Sequence, residues 1–457
     1  MQKVRRLYDQ FQPEHYRLLI DTDKHNMKFN GEVVIRGNKT GRPSQRITFH
    51  AKQLRIISAK IVRHDKRGDI DMPVVRTLVH KSSDELRIHS QSMLMPGSYS
   101  VTIRFEGKIT QPMNGIYPCY FESEGQKEVI LATQFESHHA REAFPCIDEP
   151  EAKAVFSLNL LCDPNETVLS NTPLIKQSQK KGRMLSEFSE TPKMSSYLLA
   201  FVCGKLSYRE GQTAGGVTVR AYATPDNHAN TAFALQTTID CLDFYNDYFA
   251  IDYPLSKCDL VALPDFANGA MENWGLITFR EHALFVDDQN TSLWVKQYVA
   301  NVIAHELTHQ WFGNLVTMRW WNDLWLNESF ATLMSYVAVD HLFPEWQVWT
   351  QFVIDEQLPA FRLDSLAHTH PINVSINHPD EIRTIFDTIS YEKGASVLLM
   401  LMHYIGHDAF RSGLTNYLKR HAYANTESKD LWQAWEETAT KPVADFMNAW
   451  TTQAGVA

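Results

Sequence analysis

The run His305-Glu306-Leu307-Thr308-His309 sets two imidazoles at positions i and i+4. On a helix these lie one turn apart on one face, so both rings can grip a single ion. A third donor stands further along at Glu328, within Trp325-Leu326-Asn327-Glu328-Ser329. Two neutral imidazoles and one carboxylate form the donor set of a catalytic Zn2+ site, with the fourth position left to water. Glu306 follows the first ligand, so it projects off the ligand face yet stays beside the metal, where its carboxylate can take a proton from that water. The expectation is one Zn2+ per chain on His305, His309 and Glu328, with Glu306 as general base. Trp311, Phe312, Trp320, Trp321 and Trp325 crowd the same stretch and would exclude water and hold the ligand helices rigid.

Returning Glu328 to the histidines requires a helix, a loop around 318–322 and a second helix. Apolar spacing supports helices over 293–312, 323–341, 345–357, 384–403 and 407–421. A further helix opens this half of the chain, where Leu235, Leu242, Tyr245 and Phe249 recur between Pro225-Asp226-Asn227 and Tyr253-Pro254. Upstream the period changes to two, as in Tyr16-Leu18-Ile20, Tyr99-Val101-Ile103-Phe105 and Phe156-Leu158-Leu160. Turn residues such as Met95-Pro96-Gly97 separate these runs at intervals suited to antiparallel strands rather than to βαβ units. The predicted architecture is α+β and multidomain: an antiparallel β-sandwich-like domain over 1–204, then a mostly helical catalytic domain over 205–457.

At 457 residues the chain can bury sizeable cores, which excludes a small disulfide-stapled scaffold. The 44 Lys+Arg against 53 Asp+Glu give a net charge of -9, the wrong sign for coating nucleic acid or an anionic membrane. No apolar run is long enough to span a bilayer, and no signal-peptide core follows the first basic residues. Six cysteines stand singly without a CxxC pair, and most are expected to be reduced and buried in a cytoplasmic protein.

The stretch from His305 to Thr332, HELTHQWFGNLVTMRWWNDLWLNESFAT, resembles the zinc-site signature of the gluzincin aminopeptidases of the alanyl aminopeptidase (aminopeptidase N) family. Three further blocks agree in order. Gly269-Ala270-Met271-Glu272-Asn273 is similar to that family's GAMEN exopeptidase motif. Thr133-Gln134-Phe135-Glu136, leading into Ala143-Phe144-Pro145-Cys146-Ile147-Asp148-Glu149-Pro150, resembles its N-domain signature. Tyr391-Glu392-Lys393-Gly394-Ala395 resembles the segment carrying its catalytic tyrosine.

The resemblance implies a thermolysin-like catalytic domain and peptide substrates with a free N-terminus. A peptidase that removes only the first residue must hold an α-ammonium, which carboxylates do best in a partly desolvated pocket; Glu136 and Glu272 match those positions. Gly269 and Ala270 lack bulk, so a substrate strand can approach and pair there, flanked by Met271 and Asn273. Tyr391 takes the place of the oxyanion donor. By family position Gln134, Asn268 and Phe386 line the pocket for the first side chain.

Departures are few. Ser329 stands where a Gly usually follows the zinc Glu, and Thr308 replaces an Ala often found inside the motif. Family members commonly continue through further domains that cap the cleft, so a C-terminal domain is expected to be missing here or supplied by another chain. Three other readings compete. An epoxide hydrolase akin to leukotriene-hydrolysing relatives is opposed by Ala270, where those carry a second Gly. A binding module that keeps fold and zinc without catalysis is opposed by the intact His305, Glu306, His309, Glu328 and Tyr391. A generic zinc endopeptidase is opposed by Glu136 with Glu272.

Overall fold

The computed structural model describes residues 4–455. Period-two burial in the first half becomes sheet: Tyr16, Leu18 and Ile20 are buried along strand Phe11–Asp23, as are Tyr99, Val101, Ile103 and Phe105 along Gly97–Lys108. Both belong to an eight-stranded sheet, beside which lie sheets of four and three strands. The four-stranded one includes Gln126–Gln134, and the chain leaving that strand carries Glu136 into the cleft. The large sheet is not purely antiparallel, because Phe11–Asp23 pairs in parallel with Val155–Cys162. Those strands are far apart in sequence, so no hairpin turn dictates their direction.

The second half is less purely helical than its periodicity predicts. Ser207–Gln212 and Thr218–Ala223 precede its first helix and form a five-stranded mixed sheet with Lys257–Leu263, Ala270–Met271 and Leu276–Arg280. Every residue of Lys257–Leu263 is buried, so alternation could not reveal it. Ala270–Met271 is one of its two outer strands, paired among the described residues with Leu276–Arg280 alone.

The metal-ligand candidates stand on α2 (Leu293–Thr308, with His309 at its C-terminal cap) and α3 (Trp325–Leu342), and α1 (Ala232–Phe249) packs against both. Helix α2 starts at Ser292, whose hydroxyl accepts from the Val295 N–H at 3.4 Å. The Tyr245 hydroxyl on α1 lies 3.0 Å from the carbonyl oxygens of both Ala304 on α2 and Met334 on α3. Thr308 donates to the same hydroxyl at 2.9 Å, which gives this departure from the motif a structural use. Trp311, Trp321 and Trp325 are fully buried around this triplet.

The helix predicted over 384–403 is interrupted. A short 3-10 turn at Arg383–Ile385 gives way to a wide π-type turn, Ile389–Lys393, and then to the regular helix Gly394–Ile405. Asp387 causes the restart, since its Oδ1 accepts the N–H groups of Ile389 at 3.0 Å and Ser390 at 3.3 Å. The segment predicted helical over 345–357 also passes through a π-type stretch, Phe352–Gln357, and continues to Asp364. All six cysteines are buried and unpaired. Among the described residues no helix is long and apolar enough to cross a membrane.

Candidate active site

Helix α2 brings the two histidine Nε2 atoms to 3.1 Å of one another, and α3 sets the Glu328 Oε2 atom 3.3 Å from each. Three donors held at tetrahedral directions about 2.0–2.1 Å from one Zn2+ would stand about 3.3 Å apart, so the triangle fits the ion. Tautomer fits as well. His309 Nδ1 lies 3.0 Å from the Phe312 carbonyl, which can only accept, so Nδ1 carries the proton and Nε2 keeps its lone pair for a metal.

A cavity of about 1150 Å³ opens over this triangle, lined among others by Glu136, Asn268, Gly269, Ala270, Glu272, Glu306, Phe386 and Tyr391. Glu272 and Glu306 are buried, and Glu136 is partly exposed with its Oε1 sealed off. One carboxylate oxygen on each of the three has no hydrogen-bond partner among the described residues. Unpaired buried carboxylate oxygens are costly unless a cationic or N–H-bearing ligand meets them. Glu272 is seated by its own main chain: the carbonyl accepts from Asn314 Nδ2 at 2.9 Å and Gln310 Nε2 at 3.3 Å.

Electrostatics divide the carboxylates. Burial and neighbouring negative charge push Glu136 and Glu306 well above the usual carboxylate range, and burial pushes Glu272 up to about 7. Burial also opposes ionisation of Glu328, but His309 and His305 outweigh it and hold that carboxyl down at about 2. Burial pushes the His309 imidazole down, while Glu328, Glu272 and Glu306 outweigh it and hold it up. Such a surplus of negative charge in a dry cavity is relieved by a bound cation.

Tyr391 is placed by the π-type turn, with its ring parallel to that of His305 at 6.1 Å between centroids. Burial, then the charges of Glu328, Glu136 and Glu272, keep its phenol well above the ordinary value, so the group remains a donor. Phe386 lies 6.5 Å from the same ring. The Ser329 hydroxyl donates to the Ser390 carbonyl at 2.7 Å, linking α3 to the tyrosine segment.

Two family models match the chain: the Peptidase M1 N-terminal domain over residues 12–198 and the Peptidase family M1 domain over residues 233–450. The chain belongs to the M1 peptidase family. Its relatives include aminopeptidase N of Lactococcus lactis subsp. lactis (strain IL1403), 43% identical over 457 residues, which cover 99% of this chain and 52% of that protein. Aminopeptidase M1-A of Oryza sativa subsp. japonica is 42% identical over 444 residues, covering 97% and 50%. Aminopeptidase M1 of Arabidopsis thaliana is 41% identical over 443 residues, again covering 97% and 50%. The chain spans about half the length of these relatives.

Within this M1 site, not every residue singled out from sequence reaches the cavity. Gln134 and Met271 pack together behind it, with Gln134 Nε2 donating to Met271 Sδ at 3.2 Å. Asn273 is buried and donates from Nδ2 to Thr278 Oγ1 at 3.1 Å, holding the hairpin that presents Glu272. Sequence reasoning missed Gln310 and Asn314, which seat Glu272. The signal available was weak: two amides among the aromatics that follow His309.

Proposed function

We propose that the chain is a zinc aminopeptidase that hydrolyses the first peptide bond of short or medium peptides with a free N-terminus. One observation carries the reading: three carboxylate oxygens without a hydrogen-bond partner among the described residues, on Glu136, Glu272 and Glu306, sit in the same cavity as the convergent His305, His309 and Glu328 atoms. When bound there, Zn2+ supplies Lewis-acid polarisation of the scissile carbonyl and lowers the pKa of the attacking water.

The protein's own groups do the rest. Glu136 and Glu272 accept hydrogen bonds from the substrate ammonium, which places the first carbonyl at the metal triangle and leaves no room for an upstream residue. Glu306, raised by burial, takes the proton of the attacking water and passes it to the leaving amine. Tyr391 donates a hydrogen bond to the carbonyl oxygen as it gains charge. Ala270 and Met271, on an outer strand of their sheet, offer a backbone edge along which the substrate can pair. Asn268 and Phe386 meet the first side chain, with Gln134 behind them. The six unpaired thiols support a reducing, cytoplasmic setting.

The test uses free and N-acetylated aminoacyl arylamides, with and without a zinc chelator. Chelator-sensitive cleavage of the free amines alone is expected. Equal cleavage of acetylated substrates would remove the aminopeptidase reading, and chelator-resistant cleavage would remove the zinc.

A further inference from the structure

Lys153 is 2% exposed, and its head group has no carboxylate partner among the described residues. Its Nζ donates instead to two main-chain carbonyls across the molecule, those of Asn314 and Leu315, each at 3.1 Å. Burying a lysine head group is costly unless its donors are satisfied, so the arrangement persists only where the carbonyls need it as much.

Those carbonyls belong to the loop that leaves α2, and two neighbouring groups on that loop bond to residues of the active site. The Phe312 carbonyl accepts from His309 Nδ1 at 3.0 Å, and the Asn314 side chain donates to the Glu272 carbonyl at 2.9 Å. The Gly313 carbonyl accepts from Tyr197 at 3.3 Å, a second tie to the N-terminal half of the chain. The Asn314 N–H closes the turn onto the His309 carbonyl at 3.0 Å. A single lysine from the N-terminal half thus grips the short segment that touches both a candidate metal ligand and a candidate amine-anchor residue.

We propose that Lys153 is a positioning residue. By fixing the Asn314 and Leu315 carbonyls it orients His309 through Phe312 and seats Glu272 through Asn314. The Glu272 half rests on the aminopeptidase reading; the His309 half does not.

The experiment compares the unaltered chain with Lys153→Met, which keeps the apolar stem and removes both donations, and with Asn314→Ala, which cuts only the link to Glu272. Zinc affinity is read by competition with a chromophoric chelator, KM and kcat on a free aminoacyl arylamide, and folding by circular dichroism and Tm. Lys153→Met should weaken zinc binding about tenfold, the scale for losing a group that orients a ligand imidazole. It should also raise KM by a larger factor than it lowers kcat. Asn314→Ala should raise KM with zinc affinity unchanged. A folded Lys153→Met with a lower Tm, but with zinc affinity and KM within about twofold of the unaltered chain, overturns the proposal, since a purely structural lysine gives that result. If Lys153→Met does not fold, Asn314→Ala with an unaltered KM overturns it equally. If the unaltered chain cleaves neither free nor acetylated substrates, the aminopeptidase reading falls, while the zinc comparison still decides the tie between Lys153 and His309.

Discussion

On one wall of the cleft, α2 and α3 present His305, His309 and Glu328 from helices whose backbone ladders fix each side chain relative to the next. The facing wall is assembled from three separate stretches: Glu136 just past a strand end, Glu272 just past a two-residue edge strand, and Phe386 to Tyr391 across a broken helix. No continuous ladder fixes these groups. They are held by side-chain bonds from elsewhere: Asn314 and Gln310 on Glu272, Asp387 on the start of the tyrosine turn, Ser329 on the Ser390 carbonyl. The metal-ligand candidates are placed locally by helices, and the substrate-facing candidates are placed by tertiary contacts.

The helical wall should therefore tolerate loss of a catalytic group without losing its metal. Glu306→Gln keeps shape and hydrogen-bonding size on α2, so zinc content should stay at one per chain while kcat falls about 10²–10⁴-fold, the range of a lost general base. Metal analysis alongside single-turnover kinetics checks both halves. Turnover near the unaltered level would end the assignment of Glu306, and loss of zinc with turnover would show that the helical wall depends on that residue for its shape.

The same contrast explains what was legible in the sequence. The i,i+4 histidines were legible because the helix converts spacing into geometry, and the structure brings their Nε2 atoms together with Glu328 among buried aromatics. Strand alternation placed the β-rich N-terminal part, but the strand Lys257–Leu263 is buried on both faces and shows no alternation, so the sheet within the catalytic part stayed hidden. Glu136 and Glu272 looked functional only through their resemblance to known blocks, since nothing local tells a cleft carboxylate from a surface one. Lys153 was invisible for a similar reason. Its partners lie more than 160 positions away, at Asn314 and Leu315, and an isolated lysine reads as a solvated charge.

A smaller effect probes the joint between the walls. A Cβ on Gly394 would stand 1.8 Å from Ser329 Oγ and 2.7 Å from Ser329 Cβ, closer than packing permits. Gly394→Ala must push Ser329 away from the Ser390 carbonyl, next to Tyr391. The expected cost is about 1–3 kcal/mol of stability, typical of overpacking, together with a lower kcat at unchanged zinc content. Adding Ser329→Gly should restore only part of the stability, because it removes both clashing atoms but also the bond to Ser390 and places a glycine inside α3. Urea unfolding of the single and double variants reads this, and a single variant as stable and active as the unaltered chain would show that the facing wall does not lean on α3 here.

The finest test concerns another part of the cleft lining, where the π-type stretch Phe352–Gln357 meets α3 through an ionisable contact. The Glu356 carboxylate accepts from the Tyr336 hydroxyl at 2.8 Å, yet burial, with help from Asp355, pushes its pKa up to about 6. Glu392, beside Tyr391, is pushed up to about 7 by burial and then by Glu356. A carboxyl raised in the folded state binds its proton more tightly there than in the unfolded chain. Its stabilising contribution is therefore complete below the unfolded value near 4.5 and is lost as pH rises through about 6. The chain should accordingly be less stable at pH 8 than at pH 5, with Glu356 accounting for about 1–2 kcal/mol of the difference. Glu356→Gln retains an acceptor for Tyr336 and removes the charge, so it should stabilise the protein at pH 8, change little at pH 5 and flatten the profile between them. An unfolding series in urea at both pH values decides it: an unaltered slope in the variant would mean that Glu356 is already solvated, and that Phe352–Gln357 meets α3 through Tyr336 packing rather than through a confined charge.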